Sequence, residues 1–106
     1  MLFIVTLNYR AAQADIAAQL PAHRDWLARH VAAGRFVVAG PLEPRTGGLI
    51  LAHCEDRAEL DALLADDPFV TFGLVDVAVL VAAPALRHAD FPPRWALEAQ
   101  ALTTPL

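Results

Sequence analysis

The sequence predicts an α+β domain with elements in the order β-α-β-β-α-β, the ferredoxin-like arrangement in which a four-stranded antiparallel sheet carries both helices on one face. Three observations carry that expectation. Short runs rich in β-branched and aromatic residues, Leu2–Leu7, Arg35–Gly40, Leu49–Cys54 and Leu74–Val81, read as strands. Longer segments with apolar residues at helical spacing separate the first run from the second and the third from the fourth. The two middle runs are joined by Leu42–Gly48, whose Pro44-Arg45-Thr46-Gly47-Gly48 supplies turn residues for a hairpin.

Taken in order, Leu2-Phe3-Ile4-Val5-Thr6-Leu7 forms the first strand, and Asn8-Tyr9-Arg10 leads out of it. From about Ala11 to Ala33 the pattern is helical, rich in alanine with periodic Ile, Leu and Val. Pro21 interrupts this segment, because proline in a helix interior removes a hydrogen bond and crowds the preceding turn. Either the helix kinks there, or one helix ends and another begins with Pro21 in its first turn, where proline is tolerated. Counted as one helix at about 100° per residue, Ile16, Leu20, Leu27 and Val31 share a stripe with His23 close to its centre, and both versions leave His23 and Leu27 on the same face. Gly34 stops the helix.

The second strand breaks at Gly40-Pro41, and the third ends at His53-Cys54. Glu55-Asp56 then offers an N-cap, and Glu59, three residues after Asp56, completes a capping-box pattern. Leu60, Leu63 and Leu64 give the second helix its stripe. It must stop by Asp67, since a residue before proline is pushed out of helical geometry. Phe69–Phe72 reads as a connector into the fourth strand.

The strands are continuously apolar rather than alternating, as in Phe3-Ile4-Val5, Leu49-Ile50-Leu51 and Val77-Ala78-Val79-Leu80-Val81. Such runs mean burial on both sides of the sheet. Two helices cover only one side, so a homodimer packed through the open sheet face is expected. Residues 1–84 form the domain and residues 85–106 an extension of different character. His88-Ala89-Asp90-Phe91-Pro92-Pro93 excludes regular structure, while Trp95, Ala99 and Leu102 share a helical face. The extension therefore ends in a short helix docking by its tryptophan, or in a frayed tail.

Composition narrows the function. At 106 residues the chain holds a single domain, and 57% hydrophobic against 19% charged residues is rich for a small one. That excess is a second sign of self-association. All eight basic residues are arginines, spread along a chain of net charge −4, which excludes the concentrated positive field that nucleic acid requires. The single cysteine, Cys54, forms no internal disulfide and no zinc framework. Met1-Leu2-Phe3-Ile4-Val5 lacks the basic start and cleavage site of a signal peptide. The longest apolar stretch, Gly73–Leu86, is interrupted by Asp76 and too short to span a bilayer. A cytoplasmic, soluble protein is expected.

Two places could carry chemistry. His23 on an apolar stripe is either a core histidine satisfied by a partner or the imidazole of a site between helix and sheet. Asp66-Asp67 puts two carboxylates at a helix end, where the macrodipole disfavours them, and Pro68 holds Asp67 extended. The proposed topology brings this helix end near the first helix, where a carboxylate could orient His23 as an acid–base group. The bland alternative is a solvated acidic loop. Gly40-Pro41 shapes a wall of such a site, and Arg24, Arg45 and Tyr9 could face its mouth. His30 lies two turns beyond His23, roughly 10 Å along the axis, too far to share one metal ion. Neither a metal nor a cofactor is expected.

Pro21-Ala22-His23 followed by Trp26-Leu27, then Ala33-Gly34-Arg35-Phe36, Ala39-Gly40-Pro41, Gly47-Gly48-Leu49-Ile50, and Asp67-Pro68-Phe69-Val70 leading to Gly73-Leu74 form an ordered set. In these the chain resembles the YciI-like (YCII-related) family from about Leu2 to Val81. The resemblance implies a dimeric α+β barrel and an active site built on a histidine and an aspartate, which fall on His23 and Asp67. Leu20 departs from the pattern, since members often carry an arginine just before Pro-Ala-His; Arg24 lies close by. Many members have no assigned function, and one similar protein is a dehydrochlorinase of a chlorinated hydroxyquinol. The expected activity is therefore a small cofactor-independent enzyme of lyase or dehydrochlorinase type. His23 would be the base and Asp67 its orienter, with Arg24, Gly40, Pro41 and Phe69 against a small aromatic or anionic molecule. The alternative is a non-catalytic ligand-binding or interaction module, in which His23 and Asp67 need not meet. A cofactor-free monooxygenase rests on fold analogy alone.

Overall fold

A computed structural model describes residues 1–103. The elements run β1 (Leu2–Tyr9), α1 (Gln13–Ala32), β2 (Phe36–Pro41), β3 (Gly47–His53), α2 (Arg57–Ala65), α3 (Pro68–Thr71), β4 (Val75–Ala82), β5 (Leu86–His88) and β6 (Gln100–Leu102). β1 to β4 form an antiparallel sheet in the order β2-β3-β1-β4, so the first and third strands lie inside it. This is the ferredoxin-like α+β fold.

Side chains alternate across a strand, and the register sorts them. Phe3, Val5 and Leu7 point to the helices and join Trp26, Phe36, Ile50, Leu60 and Phe69 in the core. Ile4 lies opposite Leu51 and Leu80, on the other side of the sheet. Within the single chain that side is open. Val38 and Leu80 keep 55% and 68% of their surface exposed. The continuously apolar strands thus have one face packed and one uncovered.

α1 is one helix, with Pro21 inside it. The carbonyl that loses its donor there belongs to Ala17, which is exposed, so water can serve it. The buried face is rotated from the expected stripe. Ile16, His23 and Trp26 are buried, Leu20 and Leu27 half-buried, and Val31 is exposed. Trp26 turns the helix, because its ring is 1% exposed against Phe36 at 5.1 Å and its Nε1 donates to the carbonyl of Leu63 at 3.1 Å. A buried indole must find an acceptor, and the end of α2 supplies it.

α2 begins with Asp56 as its N-cap, and the return bond from Glu59 falls one residue before the cap. The Asp56 carboxylate accepts from the Glu59 amide at 2.9 Å, and the Glu59 carboxylate accepts from the Glu55 amide at 3.1 Å. The segment after it is not a plain connector. Pro68 removes a donor that a first helical turn leaves free in any case, and α3 starts there with Asp67 as its N-cap.

Among its described residues the extension contains no docking helix of the expected kind. Trp95, Ala99 and Leu102 do not share a face: Pro93–Trp95 is one 3-10 turn, and Gln100–Leu102 pairs in parallel with Leu86–His88. Pro92 and Pro93 prevent the turn from being preceded by helix, and the backbone groups of the last segment are met by β5 instead. Trp95 does dock, its Nε1 donating to the carbonyl of Gly34 at 3.2 Å. This holds the extension at the end of the sheet where β1 begins, away from Tyr9 and the β2–β3 turn.

Candidate functional site

The site is built outward from Asp67. Its backbone is extended, as a residue before proline must be, and its side chain is completely buried. Oδ1 accepts the Phe69 backbone amide at 3.0 Å, which is the cap bond of α3. The same Oδ1 lies 2.7 Å from Nδ1 of His23. Since a carboxylate accepts, the Nδ1 hydrogen donates, and the tautomer of the ring follows. Oδ2 is buried without a partner among the described residues. The sequence places Asp67 at the close of one helix; the structure places it at the opening of the next, where a carboxylate is stabilised rather than opposed.

His23 is fixed on three sides. Its ring stacks on Phe69 with centroids 3.9 Å apart and planes 6° from parallel. Trp26 stands 5.7 Å away on the same helix face. Asp67 holds Nδ1. Nε2, the remaining ring nitrogen, bonds to no protein group among the described residues and is not sealed from solvent. The histidine is thus 7% exposed and half satisfied, a core residue by burial with one nitrogen left over.

His23 belongs to the wall of a cavity of about 320 Å³ between α1 and the sheet. Leu20, His23, Arg24 and Leu27 line it from the helix, Leu7 and Tyr9 from β1, and Gly40, Pro41, Gly47, Gly48, Leu49 and Ile50 from β2 and β3. Phe69 closes it from α3, and Arg45 stands on the β2–β3 turn. The volume is at the low end for a small-molecule pocket, and the mostly apolar lining with a few polar groups is typical of one. Gly47 is required by geometry. A Cβ at that position would overlap the carbonyl oxygen of Leu7 on β1, so only glycine lets the two strands approach here.

The structure therefore brings His23, Arg24, Gly40, Pro41 and Phe69 around one hollow, with Asp67 buried behind His23. It gives Phe69 a second place, beneath the imidazole as well as on the wall. Tyr9 and Arg45 also reach the cavity, and Tyr9 meets Phe69 edge to face at 6.0 Å. Trp26 was readable only as a helix apolar residue; its spacing of three from His23, on the same face, was the available sign of contact.

Other reactive side chains lie elsewhere. Burial, with Arg29 beside it, pushes His30 below the usual imidazole range, and its ring packs at 5.3 Å from Phe36. Burial, with the N-terminal amine and Arg35, does the same to His53. Burial raises the Cys54 thiol, so a thiolate is disfavoured there. Among the described residues no three His, Cys, Asp or Glu side chains are grouped to hold a metal ion. No helix among them is long and apolar enough to cross a membrane.

A family model, the YCII-related domain, matches residues 1–82. The chain belongs to this family. No curated protein matches it in sequence. Among solved structures, the YCII-related chain is similar to 5-chloro-2-hydroxyhydroquinone dehydrochlorinase from Burkholderia phenoliruptrix in complex with 2,5-dihydroxybenzoquinone. The TM-score is 0.69 at 22% identity, covering 80% of this chain and 96% of that one. It is also similar to muconolactone isomerase, with a TM-score of 0.66 at 16% identity, covering 85% of this chain and 93% of that one. At these identities the likeness is one of fold.

Proposed function

We propose that this YCII-related protein is a small cofactor-independent enzyme of lyase type, with His23 as general base and Asp67 as its orienting partner. The observation that carries the reading is the 2.7 Å bond through Nδ1, which leaves Nε2 unbonded on a histidine that lines the cavity. Nε2 takes a proton from carbon, and the electron pair of that bond expels a leaving group from the neighbouring atom or shifts along a conjugated system. Asp67 stabilises the imidazolium that forms and keeps the ring from turning. A purely binding module has no need of such a contact. The dehydrochlorinase and isomerase of similar fold suggest the first substrates to try.

The test is to incubate the protein with 5-chloro-2-hydroxyhydroquinone and with muconolactone in deuterated water. Chloride release, isomerisation and deuterium uptake at carbon are then followed by ion chromatography and NMR. We expect at least one proton-transfer reaction that disappears when His23 is changed. No turnover and no exchange on either compound would remove the support for this chemistry.

We further propose that two chains pack through the open sheet face formed by Ile4, Val38, Leu49, Leu51 and Leu80. A contiguous apolar face of this kind is rarely left to water. Sedimentation should show a dimer at micromolar concentration for the native chain and a monomer for Leu80→Asp. A native chain that sediments as a monomer would refute the pairing.

A further inference from the structure

The charges around the cavity differ from those of the chain that holds it. The chain is acidic overall, at −4. Yet the ionisable side chains lining the cavity are Tyr9, His23, Arg24 and Arg45, with no aspartate or glutamate among the described lining residues. Arg10, Arg35 and Arg57 are each paired with a carboxylate, namely Asp76, Glu59 and Asp61. Arg24 has no such partner among the described residues. Arg45 has only a loose contact, 3.8 Å from Glu43, with both side chains largely in water. An exposed pair of that kind contributes little and separates readily.

We infer that the ligand selected by this cavity is a small ring-bearing anion, its carboxylate or comparably acidic oxygen held by Arg24, with Arg45 at the rim. Leu7, Leu20, Leu27 and Ile50 offer the ring an apolar bed, and the guanidinium group offers the charged end its fork of donors. Two cations beside apolar walls focus a positive potential into the hollow of an acidic protein, which attracts anions and repels cations. A sugar or other neutral polyol would face a mostly apolar wall and leave both cations without a counter-charge. The inference deepens the reading of His23 as a base. It places that base beside a molecule whose negative charge is already countered, so the charge released by proton removal develops next to a guanidinium.

The experiment compares benzoate with benzamide, two probes of nearly equal shape that differ in charge. Both are titrated into the native protein by calorimetry and by NMR of the backbone amides. Benzoate is expected to bind at least about tenfold more tightly than benzamide, as a charge-assisted contact warrants, with shifts in α1 and the β2–β3 turn. The preference should shrink as salt rises. Arg24→Gln should remove about tenfold from benzoate affinity and leave benzamide unchanged, while Arg24→Lys keeps part of the preference. Arg45→Gln should cost a smaller factor, about twofold to threefold, as a rim charge does. Both arginines are away from the core, and a thermal melt of each variant checks that the fold is intact.

Equal binding of the two probes, no benzoate binding at millimolar concentration, or a preference that survives when Arg24→Gln and Arg45→Gln are combined would overturn the inference. Its failure is separable from failure of the catalytic reading. His23-dependent proton transfer without anion preference sinks the inference alone. Anion preference without any proton transfer sinks the base alone.

Discussion

His23→Asn is expected to lower turnover by about 10²- to 10⁴-fold, the range that a positioned general base supplies, with the protein still folding cooperatively. Asparagine is the informative replacement because the imidazole is held through Nδ1. The amide nitrogen of asparagine falls near that atom and can still donate to Asp67, while nothing replaces Nε2. His23→Ala removes both and also empties the space stacked on Phe69. It leaves the buried carboxylate short of a donor, at a cost of about 1–3 kcal/mol, so loss of activity would be mixed with loss of stability. Steady-state kinetics and a thermal melt on both variants separate the two. Unchanged turnover in a well-folded His23→Asn protein would assign the histidine to the core alone.

The comparison matters because His23 meets both descriptions. At 7% exposed, stacked on Phe69 with Trp26 beside it, it packs as a core residue does. The bond on one nitrogen, with the other unbonded on a residue that lines a cavity, is what a site requires. Core and site are therefore not competing readings of this position. The core supplies the rigidity that a base needs, since stacking on Phe69 and the Asp67 bond leave the ring one orientation.

What could be read from the sequence follows the same division. The β-α-β-β-α-β order was legible because each strand is a short apolar run rich in β-branched residues and each helix carries apolar residues at helical spacing, while Asp56 and Pro68 mark boundaries by chemistry that acts within a few residues. His23 and Asp67 were legible as anomalies, a polar group on an apolar stripe and a carboxylate where a helix closes. The rest depends on contacts distant in the chain. The rotation of α1 is set by Trp26 reaching a carbonyl on α2, which no window of local sequence contains. Gly47 joins Tyr9 and Gly40, which the sequence offered as candidates, only through strand register: Asn8 stands opposite Gly47, and Gly40 opposite Leu49. The pairing of Leu86–His88 with Gln100–Leu102 involves three residues on each side, too few for a period to show. The helical spacing of Trp95, Ala99 and Leu102 was a coincidence that this pairing overrides.

Asp67→Asn is expected to cost about tenfold to a hundredfold in turnover while the melting temperature stays equal to that of the native protein or rises. The side chain is completely buried, and both of its bonds fall on Oδ1, leaving Oδ2 without a partner. A buried charge with half its lone pairs unmet is expensive, and the neutral amide of the same shape is less so. Asparagine can keep its Oδ1 in the same place, accepting from Phe69 and from His23, so the cap of α3 and the ring orientation survive. What disappears is the negative charge behind the imidazole, which helps only when Nε2 has taken a proton. Asp67→Ala, in contrast, deletes the cap as well, worth about 1 kcal/mol, and strands the Nδ1 hydrogen. At about 4–8 °C of melting temperature per kcal/mol for a domain near this size, calorimetry would distinguish the two variants. An Asp67→Asn protein that is both stable and fully active would show that the carboxylate serves only to aim the ring. One that is stable and slow would show that a stability cost at Asp67 is retained for the sake of charge at the base.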